Sequence, residues 1–218
     1  MSMQKRIVLV HGIYSKEGQS SVWNMKAPLE KATGLPVEVF EYGYLHAIQA
    51  RFENPSIAKR LAHILEPGDI VVNHSNGAAV TYLATVKEGA RPSGVVMINP
   101  ALDTWRLPVC DWAHIYYNAE DEVVWWSQLL IGNVWGDMGQ VGFCPEHDIT
   151  RIGWPQLMET QLVDGVAYST SVRQADTIKD AQYLAAPPAR GHLAMFQSPC
   201  VEPWGRIVGR KILSEITR

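Results

Sequence analysis

Cysteine is scarce in this chain. Cys110, Cys144 and Cys200 are odd in number and far apart, a poor disulfide framework that fits a reducing compartment. Long apolar runs are missing as well: the longest, Val123 to Ile131, is interrupted by Ser127 and Gln128 and falls short of the roughly 20 residues a membrane span needs. Near the start, only Ile7 to Val10 separate Lys5-Arg6 from His11-Gly12, too little for the apolar region of a secretory signal. A cytoplasmic location is the expectation that follows. Charge of one sign is not in excess either. With 19 basic against 22 acidic residues and a net charge of -3, nothing electrostatic calls for a nucleic-acid partner. No internal repeat or low-complexity segment is present.

What the chain does have is a hydrophobic fraction of 47% spread over 218 residues, enough for one substantial core, so a single domain over 1–218 is expected. Lys5 to Val10 reads as a buried strand flanked by charge, ending at the loop His11-Gly12-Ile13-Tyr14-Ser15. A helix follows, capped by Ser20 or Ser21, with Trp23, Leu29 and Ala32 inward and Gly34 at its end, while Pro28 implies a kink or a later start. Pro36 to Phe40 alternates as a second strand. Asn54-Pro55 reads as a helix start, with Ile57, Leu61, Ile64 and Leu65 on one apolar face and Pro67-Gly68 as the stop. Ile70 to Val72, Gly94 to Ile98 and Ala113 to Tyr117 read as further strands. Beyond Val123 the pattern weakens: Trp125 to Ile131 suits a helix, Trp135 to Phe143 a glycine-broken loop, Val166 to Val172 a last strand, and Pro203 to Ile216 a closing helix.

Strands that are apolar throughout and alternate with helices predict an α/β architecture, a mostly parallel sheet with helices on both faces. Ligands of such sheets bind beyond the carboxyl ends of the strands, where strand order reverses. His11-Gly12, Ser75, Asn99-Pro100 and Asp121 all fall at that end of their strands.

The stretch Asp69 to Thr85 is the most informative. A β-branched run stops at Asn73-His74-Ser75-Asn76-Gly77 and resumes as Ala78, Val80, Tyr82 and Leu83 in a helical pattern: a strand, a very tight turn, a helix. A serine at the tip of such a turn stands at a helix N-terminus, where negative charge is favoured. The same residues also suit a plain Ser-Asn-Gly turn with the serine as helix cap. An alcohol is a poor nucleophile at neutral pH, so a nucleophilic serine needs a histidine to take its proton and a carboxylate to orient that histidine. The chain supplies Ser75, Asp121 and His192, in that order.

That order, with the serine on a strand-turn-helix elbow, resembles the α/β-hydrolase family, and the resemblance runs from His11-Gly12 to Gly191-His192. It implies Ser75 as nucleophile, His192 as base and Asp121 as acid, since Asn118-Ala119-Glu120-Asp121-Glu122-Val123-Val124 is similar to the family's acid turn and Asp121 matches better than Glu120. His11-Gly12 is similar to the oxyanion loop, which implies a backbone N–H from Ile13, with Tyr14 as the neighbouring possibility, and a second from Asn76. Asn73 stands where the family's elbow has its first glycine, which bears on helix-strand packing more than on chemistry. The long interval between Asp121 and His192 implies a variable segment, 123–188, over or beside the site, without a large separate lid domain.

The activity implied is that of a cofactor-free serine hydrolase cleaving a small-molecule ester or acyl substrate, carboxylic esters first, through an acyl-enzyme. A thioesterase, acyltransferase or lyase using the same triad, or a non-catalytic binding module, are the other readings. Tyr14, Trp125 and Trp126, with Leu129, Leu130, Ile131 and Trp135, are candidates for the substrate pocket, although a Leu/Trp face at helical spacing equally suits core packing. His11 and His74 read as structural, and Asp103 is the rival acid. Cys144-Pro145-Glu146-His147 falls short of a metal set, so no metal is expected. The sequon Asn73-His74-Ser75 sits at the elbow, a poor place for a glycan. Oligomeric state is left open.

Overall fold

The computed structural model describes residues 5–16, 18, 20–123, 135–144 and 156–218. Among these, seven strands form one sheet: β1 (Ile7–Val10), β2 (Val37–Phe40), β3 (Ile70–His74), β4 (Gly94–Ile98), β5 (Trp112–Tyr117), β6 (Gln156–Val163) and β7 (Val166–Asp176). Their order is β2-β1-β3-β4-β5-β7-β6. Neighbours run parallel except the hairpin β6/β7, which is antiparallel. The helices are α1 (Trp23–Thr33), α2 (Ala47–Ile64), α3 (Asn76–Val86), a single turn α4 (Met138–Val141) and α5 (Val201–Ile216).

Two-sided burial explains why the strands are apolar throughout. Val8, Val10, Val71, Val95, Met97 and Ile115 face one side, where α2 and α3 supply Ile57, Leu61, Ala78, Val80 and Ala84. Ile7, Leu9, Ile70, Val72, Val96 and Ile98 face the other, against Met25 and Leu29 of α1 and Trp204, Val208 and Ile212 of α5. Each such side chain contributes on the order of 1.5–3 kcal/mol on full burial, so a one-residue shift in any central strand exchanges two cores at once. The helices therefore cover both faces, as expected. From β1 the chain goes outward to β2 and then returns past β1 to β3, so strand order reverses between β1 and β3. The crevice that this reversal opens lies at their carboxyl ends.

Several boundaries differ from the sequence reading. α1 starts at Trp23 with Val22, not a serine side chain, at its N-cap; the Ser20 and Ser21 carbonyls accept the amides of Trp23 and Asn24. Pro28 lies inside α1 and is buried, packed where a Cβ on Gly205 of α5 would collide with it. That close helix crossing offsets the hydrogen bond proline cannot donate. Gly34 ends the helix in the left-handed region, φ 69, as read.

The larger correction concerns α2, which does not start at Asn54-Pro55. It starts at Ala47, after His46, whose backbone N–H donates to Gln49 Oε1 at 2.9 Å, and it runs through Pro55. The Asn54 side chain is not free to cap because it is buried and bonded to α3. β7 extends to Asp176, beyond Val172, because β5 and β6 pair with it on both edges. β6 went unread, and α4 falls in a stretch read as loop. The helix expected over Trp125 to Ile131 lies outside the described residues. Part of the long interval between Asp121 and His192 is thus spent on the β6/β7 edge of the sheet.

Candidate active site

β3 delivers Ser75 to the crevice. Its backbone takes φ 52 and ψ -124 before α3 begins at Asn76, a conformation that costs a non-glycine residue about 1–3 kcal/mol and persists only where its surroundings hold it. Three backbone bonds do so: the Ser75 N–H donates to the Ile98 carbonyl at 3.2 Å, and the Ser75 carbonyl accepts from Ala78 at 3.0 Å and Ala101 at 3.1 Å. Gly77 is where close approach demands glycine. A Cβ there would lie 2.5 Å from the Val10 carbonyl oxygen and 2.7 Å from that of His11, so the first turn of α3 presses on the end of β1. Gly12 closes the other side, its hypothetical Cβ only 2.9 Å from Ser75 Cβ. Asn73, at the position of the missing glycine, is fully buried in β3 beside Val10 of β1 and Met97 of β4, and the tight contact falls on Gly77 instead.

At the end of β5, Asn118 to Asp121 form a turn in which the Asp121 N–H donates to the Asn118 carbonyl at 3.0 Å and the Glu120 N–H to Asn118 Oδ1 at 2.9 Å. Asp121 is fully buried, with Oδ2 2.7 Å from His192 Nδ1. A carboxylate there accepts the Nδ1 proton, which leaves Nε2 as the basic nitrogen of the ring. The loop bearing His192 is tied at several points. Asn118 Nδ2 donates to the carbonyls of Ala189 at 3.0 Å and Gly191 at 3.3 Å. The His192 carbonyl accepts from Asn99 Nδ2 at 2.9 Å and from His74 Nε2 at 3.0 Å. Asp103 is placed elsewhere, paired with Arg106 at 2.9 Å and about a third exposed, so the carboxylate that meets His192 is that of Asp121.

Ser75 and His192 reach the same edge through His74, whose ring lies 4.6 Å from that of His192. Among the described residues, no hydrogen bond joins Ser75 Oγ to His192, a contact that in unliganded sites commonly tightens only with substrate. His74 is buried, and that burial, with the neighbouring His192, holds its pKa well below the usual histidine value. His11 is lowered too, chiefly by burial. Its Nδ1 donates to the Gly12 carbonyl at 2.7 Å, its Nε2 accepts the Tyr42 N–H at 3.3 Å, and its ring stacks on Tyr42 at 3.8 Å. Both histidines serve here as supports for loops.

Of the amides that could face an oxyanion, Tyr14 N–H is committed to the Leu45 carbonyl at 3.0 Å, whereas no acceptor within the described residues takes the N–H of Ile13 or of Asn76. Pinning the Gly12 carbonyl to His11 also directs the Ile13 N–H, because the two groups point oppositely across one trans peptide plane. The Asn76 N–H opens α3, where the helix dipole adds positive character. Tyr14 is half exposed at φ 57, edge-on to Tyr44 and His46. Trp135 is buried, not on an open wall, and donates from Nε1 to Asn76 Oδ1 at 3.0 Å. Trp125 and Trp126 lie outside the described residues, as does His147. Among the described residues no three His, Cys, Asp or Glu side chains gather as a metal ion would require, and no helix is long and apolar enough to cross a membrane.

Sequence reasoning set Asn99 at the carboxyl end of its strand and Asn118 at the start of the acid turn without giving either a role, and it missed Asn54 as a site residue. The first two carried a faint signal, each standing at the carboxyl end of a strand; Asn54 carried a misleading one, because Asn-Pro reads as a cap.

The sheet order, the strained serine between β3 and α3, and a histidine-carboxylate pair from later loops define an α/β-hydrolase fold. No family model and no curated protein matches the chain; its likenesses are to solved structures. One of the two metagenome-derived lipolytic enzymes LipS and LipT aligns over 98% of this chain and 94% of its own, at 11% identity and a TM-score of 0.51. YahD, solved with malic acid, aligns over 99% and 95% at 14% identity and a TM-score of 0.47. A protein of the alpha/beta superfamily from Xanthomonas campestris pv. campestris aligns over 96% and 98% at 13% identity and a TM-score of 0.46. At such identity the first of these speaks for the fold alone, and the fold is that of the α/β hydrolases.

Proposed function

We propose that this chain is a serine hydrolase that cleaves carboxylic esters. Ser75 Oγ attacks the carbonyl carbon as its proton passes to His192 Nε2, and Asp121 stabilises the imidazolium through Nδ1. The tetrahedral oxyanion is received by the backbone N–H groups of Ile13 and Asn76. Collapse expels the alcohol, which takes the proton from His192. Water, deprotonated by the same nitrogen, then releases the acid and restores Ser75. Tyr14, beside Ile13, and Trp125 and Trp126, just after Asp121 in the chain, are proposed to border the substrate.

The observation that carries this reading is the 2.7 Å contact of buried Asp121 with His192, on a loop whose carbonyl is held by the residue immediately before Ser75. Esters are the first acyl substrates to try, a choice in keeping with the lipolytic activity named for one structural neighbour. The test is a fluorophosphonate probe on folded protein, followed by p-nitrophenyl esters of increasing acyl length beside acyl-thioesters. Labelling of Ser75 and ester turnover are expected; a folded protein whose Ser75 resists the probe would overturn the proposal.

A further inference from the structure

The buried polar groups beneath the elbow are joined to one another in a way that the triad does not account for. Asn54 of α2 and Asn76 of α3 form a reciprocal amide pair: Asn54 Nδ2 donates to Asn76 Oδ1 at 2.8 Å, and Asn76 Nδ2 donates back to Asn54 Oδ1 at 3.0 Å. Asn76 Oδ1 also accepts from Trp135 Nε1 at 3.0 Å, so both of its lone pairs are filled. Nearby, the Tyr42 hydroxyl donates to the His11 carbonyl at 2.7 Å. Asn54, Asn76 and Trp135 are 5%, 1% and 4% exposed. Trp135 clusters with Ala50 and Ala101, and Ile13 packs against that cluster.

We propose that Trp135 and Asn54 are positioning residues for the oxyanion-binding amides, an inference that rests on the hydrolase reading above. The Asn76 side chain is short: once its amide is gripped by Asn54 and Trp135, little rotation remains at its Cα, and the adjoining N–H keeps one direction. The same indole supports the apolar contact beneath Ile13, the residue carrying the other N–H. An apolar trio in this place would bury as much surface, but burial has no direction, whereas a fully satisfied hydrogen-bonded network specifies one arrangement. Direction is what an oxyanion site needs. Loss of one donor typically costs 10²–10³ in kcat, and small misplacement of such a group costs a sizeable part of that.

The experiment uses the full chain with p-nitrophenyl butyrate, normalising rates to sites titrated by a fluorophosphonate. Trp135→Phe keeps an aromatic ring and loses the N–H together with the rest of the pyrrole ring; Asn54→Asp keeps an acceptor for Asn76 and removes its donor, with no change of volume. Each is expected to lower kcat per titrated site about tenfold with KM within about twofold, and to weaken an alkylboronic acid, whose tetrahedral adduct mimics the oxyanion, by about the same factor. The double variant should fall short of the product of the two, since both act on one oxygen. A role confined to holding α2 on α3 would lower the melting temperature and the number of titrated sites but leave kcat per site and boronate affinity unchanged, and that result overturns the proposal. Should Trp135→Phe not fold, Asn54→Asp decides on the same readouts. A wild-type chain that the fluorophosphonate does not label refutes the hydrolase reading itself, and this inference falls with it; labelled wild type with unaffected variants refutes the inference alone.

Discussion

His74 donates its Nε2 hydrogen to the carbonyl oxygen of His192 across 3.0 Å, so the residue before the proposed nucleophile holds the loop that bears the proposed base. A carbonyl only accepts, which fixes the tautomer: Nε2 carries the proton, and Nδ1 is left facing Ser21 Oγ at 3.4 Å.

From this bond comes a pair of variants. His74→Phe keeps a ring in the packing against Phe196 but leaves the His192 carbonyl to Asn99 alone, and kcat on p-nitrophenyl butyrate is expected to fall about tenfold. His74→Gln retains a donor of similar reach and should stay within about threefold of wild type. Equal rates for the two variants would mean that the hydrogen bond does not position the base.

Acid stability provides a second prediction, and its sign follows from burial. Folded His74 has a pKa well below its ordinary value, while in the unfolded chain it titrates near about 6.5. Below that pH the unfolded state binds more protons, so stability is lost as pH falls from about 6.5 toward the folded value; His11 acts in the same direction. One such group contributes a slope of up to about 1.4 kcal/mol per pH unit. Urea unfolding at pH 7.5, 6.5 and 5.5 should show a shallower acid-side loss in His74→Gln by nearly this amount. Parallel curves for variant and wild type would show that His74 does not supply the linkage.

The two aspartates separate cleanly by what each touches. Asp121→Asn leaves His192 with a neutral partner and is expected to lower kcat on the order of 10³-fold or more. Asp103→Asn removes a half-solvated pair with Arg106, worth about 0–1 kcal/mol, and should leave turnover within about twofold. The reverse ranking in steady-state rates would displace Asp121 from the proposed role.

Glycine substitutions provide an independent probe of the elbow. Gly77→Ala would set a methyl group 2.5 Å from the Val10 carbonyl oxygen, and such overpacking costs about 1–3 kcal/mol while pushing α3 off β1. Gly89→Ala meets no atom within 4 Å and pays only for its φ of 76, about 1–2 kcal/mol. Thermal denaturation should therefore show both destabilised, with fluorophosphonate labelling of Ser75 reduced more than tenfold in Gly77→Ala alone. Full labelling of Gly77→Ala would show that the elbow tolerates the shift.

Much of this architecture is legible in the sequence. The apolar strands called for two-sided burial, and two helical layers provide it. Ser75 stood out because a strand, a tight turn and a helix within so few residues leave the backbone few options. Gly34 and Gly77 were readable for the same reason, since each answers a constraint set by its immediate neighbours. Where the reading went astray, a distant partner had outbid a local preference. Asn54-Pro55 has every mark of a helix start, yet the Asn54 amide is worth more against Asn76, 22 positions away, and α2 begins two turns earlier. β6 carried too little alternation to be seen and is strand because β7 pairs with all of it.

By itself the sequence determined the class of fold, the elbow at Ser75, and the strand ends from which functional groups emerge, because periodicity, turn chemistry and steric limits on the backbone act over a few residues. The tertiary structure alone decided which of those groups meet. Asp121 rather than Asp103 faces His192 across 71 positions of chain, the Ile13 N–H stays unclaimed while Leu45 takes that of Tyr14, and Trp135 turns from an expected pocket wall into a buried donor to Asn76. These are hydrogen bonds between loops brought together by the sheet. Their partners are chosen by distances that exist only after both cores have closed, and no local pattern encodes them.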